Sequence, residues 1–131
     1  MSNWTHVAGI IRIDAIRGME EEINFDALIG KECDWTSCCD AWINPEEYMP
    51  MGSEGSLNKH IWINPDERCM ATYTVSIFGD LRDHDDPQEI IDWFKSICNK
   101  CWVRNATIVV ENERNGTLSW MWEDGDNDET N

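Results

Sequence analysis

The chain has 131 residues with a formal net charge of −16, and 41% of its residues are hydrophobic. This length and apolar content predict one folded domain with a single core, and the eight tryptophans exclude an acidic disordered chain, which would be poor in aromatic residues. The scarcity of Lys and Arg argues against direct binding to nucleic acid or to an anionic membrane, because each phosphate contact needs a cation.

The negative charge belongs to the body of the chain as well as to its end. Residues 1–122 hold 21 acids and 10 bases, whereas residues 123–131 add five acids and no base. We therefore predict one α+β domain over residues 1–122, followed by an acidic, disordered tail over residues 123–131. A basic protein surface suits this charge as a partner.

The first half of the chain predicts one strand, one helix and a long loop. Partial alternation of apolar residues predicts a strand over residues 5–16. Residues 18–32 predict a short helix with the acids Glu20, Glu21 and Glu22 at its positive end. Residues 33–55 lack a sustained period and predict an irregular loop.

A local repeat links this loop to the next predicted strand. The segment Trp42-Ile43-Asn44-Pro45 recurs twenty residues later as Trp62-Ile63-Asn64-Pro65. Because Asn-Pro favours the start of a turn, the repeat suggests two equivalent corners at which a strand enters a turn. Duplicated ligand-binding arms are the alternative.

The second half of the chain has clearer signals. Residues 60–63 and 71–77 predict two strands, the second with strict alternation of apolar residues. Asp85 and Asp86 before Pro87 predict the start of a helix that runs to Cys101. Residues 103–113 and 117–122 predict two further strands, joined by a two-residue turn at Asn115-Gly116.

This element order predicts a ferredoxin-like (split βαβ) fold. The expected features are one antiparallel sheet, two helices on one of its faces, an extra C-terminal hairpin strand and the long irregular loop. The opposite face of the sheet is free to meet solvent or a partner, and Thr72, Thr74 and Ser76 are expected to line it.

Nothing in residues 1–9 resembles an export signal, and no segment has the roughly 20 apolar residues of a membrane span, so we expect a cytoplasmic protein with reduced cysteines. Cys98 and Cys101 have C-x2-C spacing and, with Cys33 and Cys38, are an alternative zinc site. Buried thiols are the favoured interpretation, because Cys98 and Cys101 fall on the apolar stripe of their helix. No bound cofactor is predicted, and zinc or magnesium stays an alternative.

Acids are concentrated between the end of one strand and the start of the next helix. Asp80, Asp83, Asp85 and Asp86 surround His84, a set that suits helix capping, contact with a basic partner, or Mg²⁺ for phosphoryl chemistry. The chain contains no established catalytic motif, and we predict that it is not an enzyme. Trp42 and Trp62 are candidate interface anchors, since exposed tryptophan dominates many interfaces.

In being compact, strongly acidic and rich in tryptophan without a catalytic motif, the chain resembles the small accessory proteins of phages and prophages, including anti-CRISPR and other counter-defence inhibitors. The resemblance rests on general character and on no shared motif. It implies acids that imitate nucleic-acid phosphates and occupy a basic channel in a nuclease or other defence protein of the host.

We therefore predict a non-enzymatic acidic binding or inhibitor protein. Its partner-binding residues are expected to be Glu20, Glu21, Glu22, Asp80, Asp83, Asp85, Asp86, Trp42 and Trp62. One alternative is a nucleotide-handling protein, either a sponge for a signalling nucleotide or a metal-dependent phosphodiesterase that uses Asp80, Asp83, His84 and Asp85. The other is a homo-oligomeric structural subunit, for example a homodimer formed through the free sheet face.

Overall fold

The computed structural model describes residues 2–14, 24–34, 38–64 and 71–122. The strands are β1 (Trp4–Asp14), β2 (Met51–Gly52), β3 (Gly55–Ser56), β4 (Asn58–Ile63), β5 (Ala71–Arg82), β6 (Val103–Asn112) and β7 (Gly116–Met121). The helices are α1 (Phe25–Leu28), α2 (Cys38–Ile43) and α3 (Pro87–Cys98), and a 3-10 turn covers Pro45–Glu47. This mixture of helices and strands confirms the α+β class.

Five strands form one antiparallel sheet in the order β4-β5-β1-β6-β7, and β2 and β3 form a separate small hairpin. Alternation along each strand separates its side chains into two sets. On β5, for example, Val75, Ile77 and Leu81 are buried, whereas Phe78 and Asp80 between them are exposed. The buried set faces the core and the exposed set lies on the opposite face of the sheet.

Helix α3 covers the core face of the sheet, and its predicted start is confirmed. The side chain of Asp86 accepts hydrogen bonds from the backbone N–H groups of Gln88 and Glu89, and Pro87 occupies the first helical position. The buried side of the helix centres on Phe94, whose ring meets that of Trp120 edge-on with 5.9 Å between centroids.

The helix predicted over residues 18–32 is shorter than predicted in the part of the chain that the structure describes. Helix α1 covers only Phe25–Leu28, is capped by the side chain of Asn24, and is followed by Gly30 at a φ of 122°. Gly30 ends it, because Tyr48 and Met49 lie where a Cβ would stand. Glu20, Glu21 and Glu22 lie outside the described residues, as does the predicted tail over 123–131.

The predicted irregular loop over residues 33–55 contains α2, the 3-10 turn and the β2–β3 hairpin. The two copies of the local repeat are not equivalent corners, because Trp42 lies near the end of α2 and Trp62 lies in β4. Lys31 pairs with Tyr48, and Asp34 pairs with Gly55, through isolated bridges. Such long-range pairing leaves no periodic signal in the sequence.

The last hairpin is confirmed, but its turn is longer than predicted. Asn112 pairs with Gly116, so the loop holds three residues rather than two. The side-chain oxygen of Asn112 accepts hydrogen bonds from the N–H groups of Arg114 and Asn115, which favours this longer turn. In the described part of the chain, no helix is long and apolar enough to cross a membrane.

Candidate functional site

The antiparallel order brings the start of β1, the end of β5 and the end of β6 to one edge of the sheet. The β2–β3 hairpin and the first turn of α3 join this edge through contacts with Arg82 and His84. Eight exposed carboxylates gather here, and we call them the acidic end. Its members are Glu54, Asp80, Asp83, Asp85, Asp86, Glu89, Glu111 and Glu113.

His6 links two of these carboxylates across the sheet. Its Nδ1 lies 2.7 Å from an oxygen of Asp80 on β5, and its Nε2 lies 2.9 Å from an oxygen of Glu113 beyond β6. The hydrogen bonds to Asp80 and then to Glu113 raise the pKa of His6 above its ordinary value. The pair of acids is therefore held at fixed positions on opposite sides of one imidazole ring.

The other acids of this edge are held mainly by neutral groups. Asn3 donates from Nδ2 to Asp85 at 2.9 Å, Asp86 caps α3, and Glu89 lies 2.9 Å from Nε2 of His84. Asp83 accepts from the hydroxyl of Ser53 at 3.3 Å. These contacts hold the acids through an amide, a hydroxyl, backbone N–H groups and an imidazole rather than through lysine or arginine.

Arginine neutralises this cluster only in part. Nη1 of Arg82 donates to Glu54, and its Nε lies 3.8 Å from Asp83, the one acid among Asp80, Asp83, Asp85 and Asp86 with an arginine contact among the described residues. Arg114 is the only other described arginine in these segments. The acidic end therefore carries a clear excess of negative charge.

A buried polar network supports the two turns that carry most of these acids. Asn112 donates from Nδ2 to the hydroxyl of Thr5 at 2.8 Å and to the carbonyl of His84 at 3.3 Å. Thr5 in turn donates to the same carbonyl, and both Thr5 and Asn112 are buried. Asn112 thus joins the turn over residues 113–115 to the turn over residues 83–86.

The two predicted tryptophan anchors are exposed, and Trp62 lies apart from the acids of β5. Trp42 is 63% exposed on α2, and Trp62 is 49% exposed on β4. Trp62 pairs with Thr74, six residues before Asp80 on β5, which is about 20 Å along a strand. Trp102 is also exposed. Sequence reasoning did not single it out, because it follows α3 outside any periodic segment.

The alternative zinc ligands do not come together among the described side chains. Burial raises the pKa of Cys98 to about 12 and that of Cys101 to about 11, and the Cys101 thiol donates to the carbonyl of Ile97 at 3.1 Å. Cys33 is half-buried on a different segment, and the side chain of Cys38 lies outside the described set.

The residues of the alternative phosphodiesterase site contact different partners instead of one another. Asp80 contacts His6, His84 contacts Glu89, and Asp85 contacts Asn3. Within residues 2–14, 24–34, 38–64 and 71–122, no three His, Cys, Asp or Glu side chains lie close enough together to hold a metal ion.

A cleft of about 750 Å³ lies between α1, the 3-10 turn and α3. Lys31 and Lys100 line it together with the rings of Tyr48 and Trp93, a combination that resembles a nucleotide pocket. Four carboxylates line the same cleft, namely Asp26, Glu46, Glu47 and Glu89. With twice as many carboxylates as lysines, the cleft disfavours a phosphate-bearing ligand.

Comparison with known proteins identifies no relative. No protein-family model, no curated protein and no solved structure matches the chain. The functional argument therefore depends on the geometry of the described residues.

Proposed function

We propose that this is a non-enzymatic acidic binding protein of the cytoplasm, whose acidic end occupies a basic surface of a partner that normally holds nucleic acid. The observation that carries the proposal is the gathering of eight exposed carboxylates at one edge of the sheet with two arginines among them. A positively charged channel in a nuclease or another host-defence protein has the complementary charge.

The rigidity of the acids supports this proposal. Hydrogen bonds hold Asp80, Asp85 and Asp86 to His6, to Asn3 and to the first turn of α3. Fixed carboxylates lose little conformational freedom when a partner docks, so more of their electrostatic attraction is available for binding. An inhibitor that imitates a row of phosphates needs this pre-organisation.

We further propose a ferredoxin-like (split βαβ) plan for the scaffold. The strand order β4-β5-β1-β6 is the order expected when two βαβ units interleave, and β7 is the added hairpin strand. The first crossover departs from the plan among the described residues, since α1 has four residues and α2 has six. The fold argument concerns the scaffold alone and carries no function with it.

The experiment compares two variants that remove the same charge from different places. The first replaces Asp80, Asp83, Asp85 and Asp86 by Asn, which keeps hydrogen-bond acceptors at the His6 contact and at the helix cap. The control replaces four exposed acids outside the acidic end by their amides, and these are Glu32, Glu46, Glu47 and Asp92. Both variants have a net charge of −12.

Each variant is titrated against purified nucleases with basic channels, bound to fluorescent duplex DNA. We expect the wild-type protein to displace the DNA from its target and to bind more weakly as salt rises. The Asn variant should lose at least about tenfold in affinity and the control much less, since only the first changes the cluster. Equal losses in the two variants, or binding that leaves the DNA in place, would overturn the proposal.

A further inference from the structure

The sheet face opposite α3 has a composition unlike the rest of the chain. Three rows of outward positions cross its five strands, and we call them the open face. Its fourteen positions are Asn58, His60, Trp62, Thr74, Ser76, Phe78, Ala8, Ile10, Arg12, Asn105, Thr107, Val109, Ser119 and Met121. None of them is Asp or Glu, although 26 of the 131 residues of the chain are acidic.

Large apolar side chains are exposed on this face. Phe78 is 45% exposed, Val109 44% and Met121 61%, and the ring of Trp62 stands at one corner. A shallow depression of about 340 Å³ lies at the centre, lined by Ala8, Ile10 and other residues of the three central strands. An apolar patch without carboxylates in so acidic a protein has the composition of an interface core.

The charges that flank the open face are polarised along the strands. One end of the face carries Arg12, which is exposed and lies 3.3 Å from the amide oxygen of Asn105. The row beyond the opposite end carries Asp80 and Glu111 on either side of His6. A partner that covers the open face therefore needs acid opposite Arg12 and base opposite this acidic row.

A second copy of the chain meets this requirement. We propose that two copies pack face to face through their open faces, related by a two-fold axis that lies between the sheets and runs across the strands. This rotation reverses the strand direction, so Arg12 of each copy lies opposite His6 of the other, between Asp80 and Glu111. The dimer covers Asp80 and Glu111, which also belong to the acidic end, but the inference rests on the open face and does not depend on the proposed function.

The same rotation matches large side chains with small ones. With the axis between the two apolar rows, Phe78 lies opposite Ser76 of the other copy, and Ile10 lies opposite Ala8. On the next strands Val109 lies opposite Thr107, and Met121 lies opposite Ser119. Side chains arranged in this way interdigitate, as they do in packed β-sandwiches.

An axis parallel to the strands gives a poorer match. It places Ile10 opposite Ile10 and Arg12 opposite Arg12, so that bulky groups collide and like charges meet. It also leaves Ala8 opposite Ala8, where a void remains. Charge and size together favour the arrangement with reversed strands.

The size of the open face suits a dimer of modest affinity. Five strands spaced about 4.8 Å apart and four rows spaced about 6.7 Å apart, including the acidic row, cover roughly 600 Å² on each copy. Stable interfaces bury about 800 Å² per partner, and a total near 1,200 Å² is the lower limit of that range. We therefore expect a micromolar dissociation constant rather than an obligate dimer.

The first test places a carboxylate at the centre of the open face. Ala8→Glu is compared with Ala27→Glu, which makes the same substitution at an exposed position of α1. Analytical ultracentrifugation should show concentration-dependent dimers for the wild type and for Ala27→Glu. Ala8→Glu should raise the dimer dissociation constant by at least about 100-fold, because two buried carboxylates would lack partners. A wild type that stays monomeric up to millimolar concentration, or dimers equally stable in both variants, overturns the proposal.

The second test examines the relative orientation of the copies. Arg12→Glu should weaken the dimer, and adding Glu111→Arg should restore it, because the exchanged charges lie on adjacent strands across the interface in this arrangement. Failure of the exchange to restore the dimer overturns the reversed-strand arrangement.

Discussion

Replacing Asn112 by Ala tests whether one buried side chain holds the acidic end together. The substitution removes four hydrogen bonds, two donated by Nδ2 to Thr5 and to the carbonyl of His84, and two accepted from the turn over residues 113–115. Thr5 and the carbonyl of His84 keep the bond between them, and water can reach the N–H groups of the turn.

The loss is therefore smaller than four full hydrogen bonds. At about 0.5–1 kcal/mol for each bond, with a small addition for the space left by the amide, the expected destabilisation is about 3 kcal/mol. For a domain of this size the melting temperature should fall by about 10 °C.

The assay is urea unfolding followed by tryptophan fluorescence, with Asn105→Ala as the control. Asn105 is an exposed residue of the same strand whose amide oxygen accepts one 3.3 Å hydrogen bond from Arg12, so its replacement should cost less than about 0.5 kcal/mol. A loss below about 1 kcal/mol for Asn112→Ala would refute the argument that this network joins the two turns.

Three further predictions concern single residues. The pKa of His6 is raised in the folded state, so its contacts should stabilise the protein fully below about pH 6.5 and lose this effect as the pH rises through the folded-state pKa. The difference in unfolding free energy between wild type and His6→Gln should therefore shrink as the pH rises and stay under about 1 kcal/mol. A difference that grows with pH contradicts this prediction. Cys98, with a pKa near 12, should resist iodoacetamide at pH 8 until urea unfolds the chain, as followed by mass spectrometry, and rapid native labelling contradicts its burial. Gly52→Ala would place a Cβ 2.4 Å from the carbonyl oxygen of Arg82 and should destabilise the protein by about 2–4 kcal/mol in urea unfolding. Gly116→Ala has open space at its Cβ and should cost about 1 kcal/mol. Equal losses in the two variants contradict the close docking of the β2–β3 hairpin.

The elements predicted most closely are those with a strong local cause. Helix α3 begins at Pro87 because Asp86 caps it, and the alternation over residues 71–77 identified the first seven of the twelve residues of β5. Capping and alternation depend on neighbouring residues in the chain, so both can be recognised from the sequence alone.

The elements that were mispredicted depend on distant residues. Helix α1 is short because Gly30 packs against the backbone of Tyr48. The side chain of Lys59 is 7% exposed and holds the α1 segment by contacts with Asp26 at 2.8 Å and with the carbonyl of Gly30 at 2.7 Å. The copies of the Trp-Ile-Asn-Pro repeat differ because β5 pairs with Trp62, whereas Trp42 belongs to α2. Local sequence patterns do not predict such contacts between distant residues.

The candidate site was predicted in part. Proximity in space could be predicted for the acids that are close in sequence, namely Asp80, Asp83, Asp85 and Asp86. All four are exposed, as expected. Glu111 and Glu113 join them only because β6 lies beside β1 in the sheet. The sequence predicted a free sheet face with Thr74 and Ser76 on it, and both lie on the open face, but its other members could not be assembled because they come from five separate strands.

Composition and short-range order were enough to indicate a folded α+β domain with an excess of carboxylates, because charge, capping and alternation are properties of neighbouring residues. Pairing between strands decided which carboxylates share an edge and which apolar side chains share a face. That pairing sets neighbours across long stretches of chain, and its energy comes from hydrogen bonds and burial that exist only once the sheet has formed.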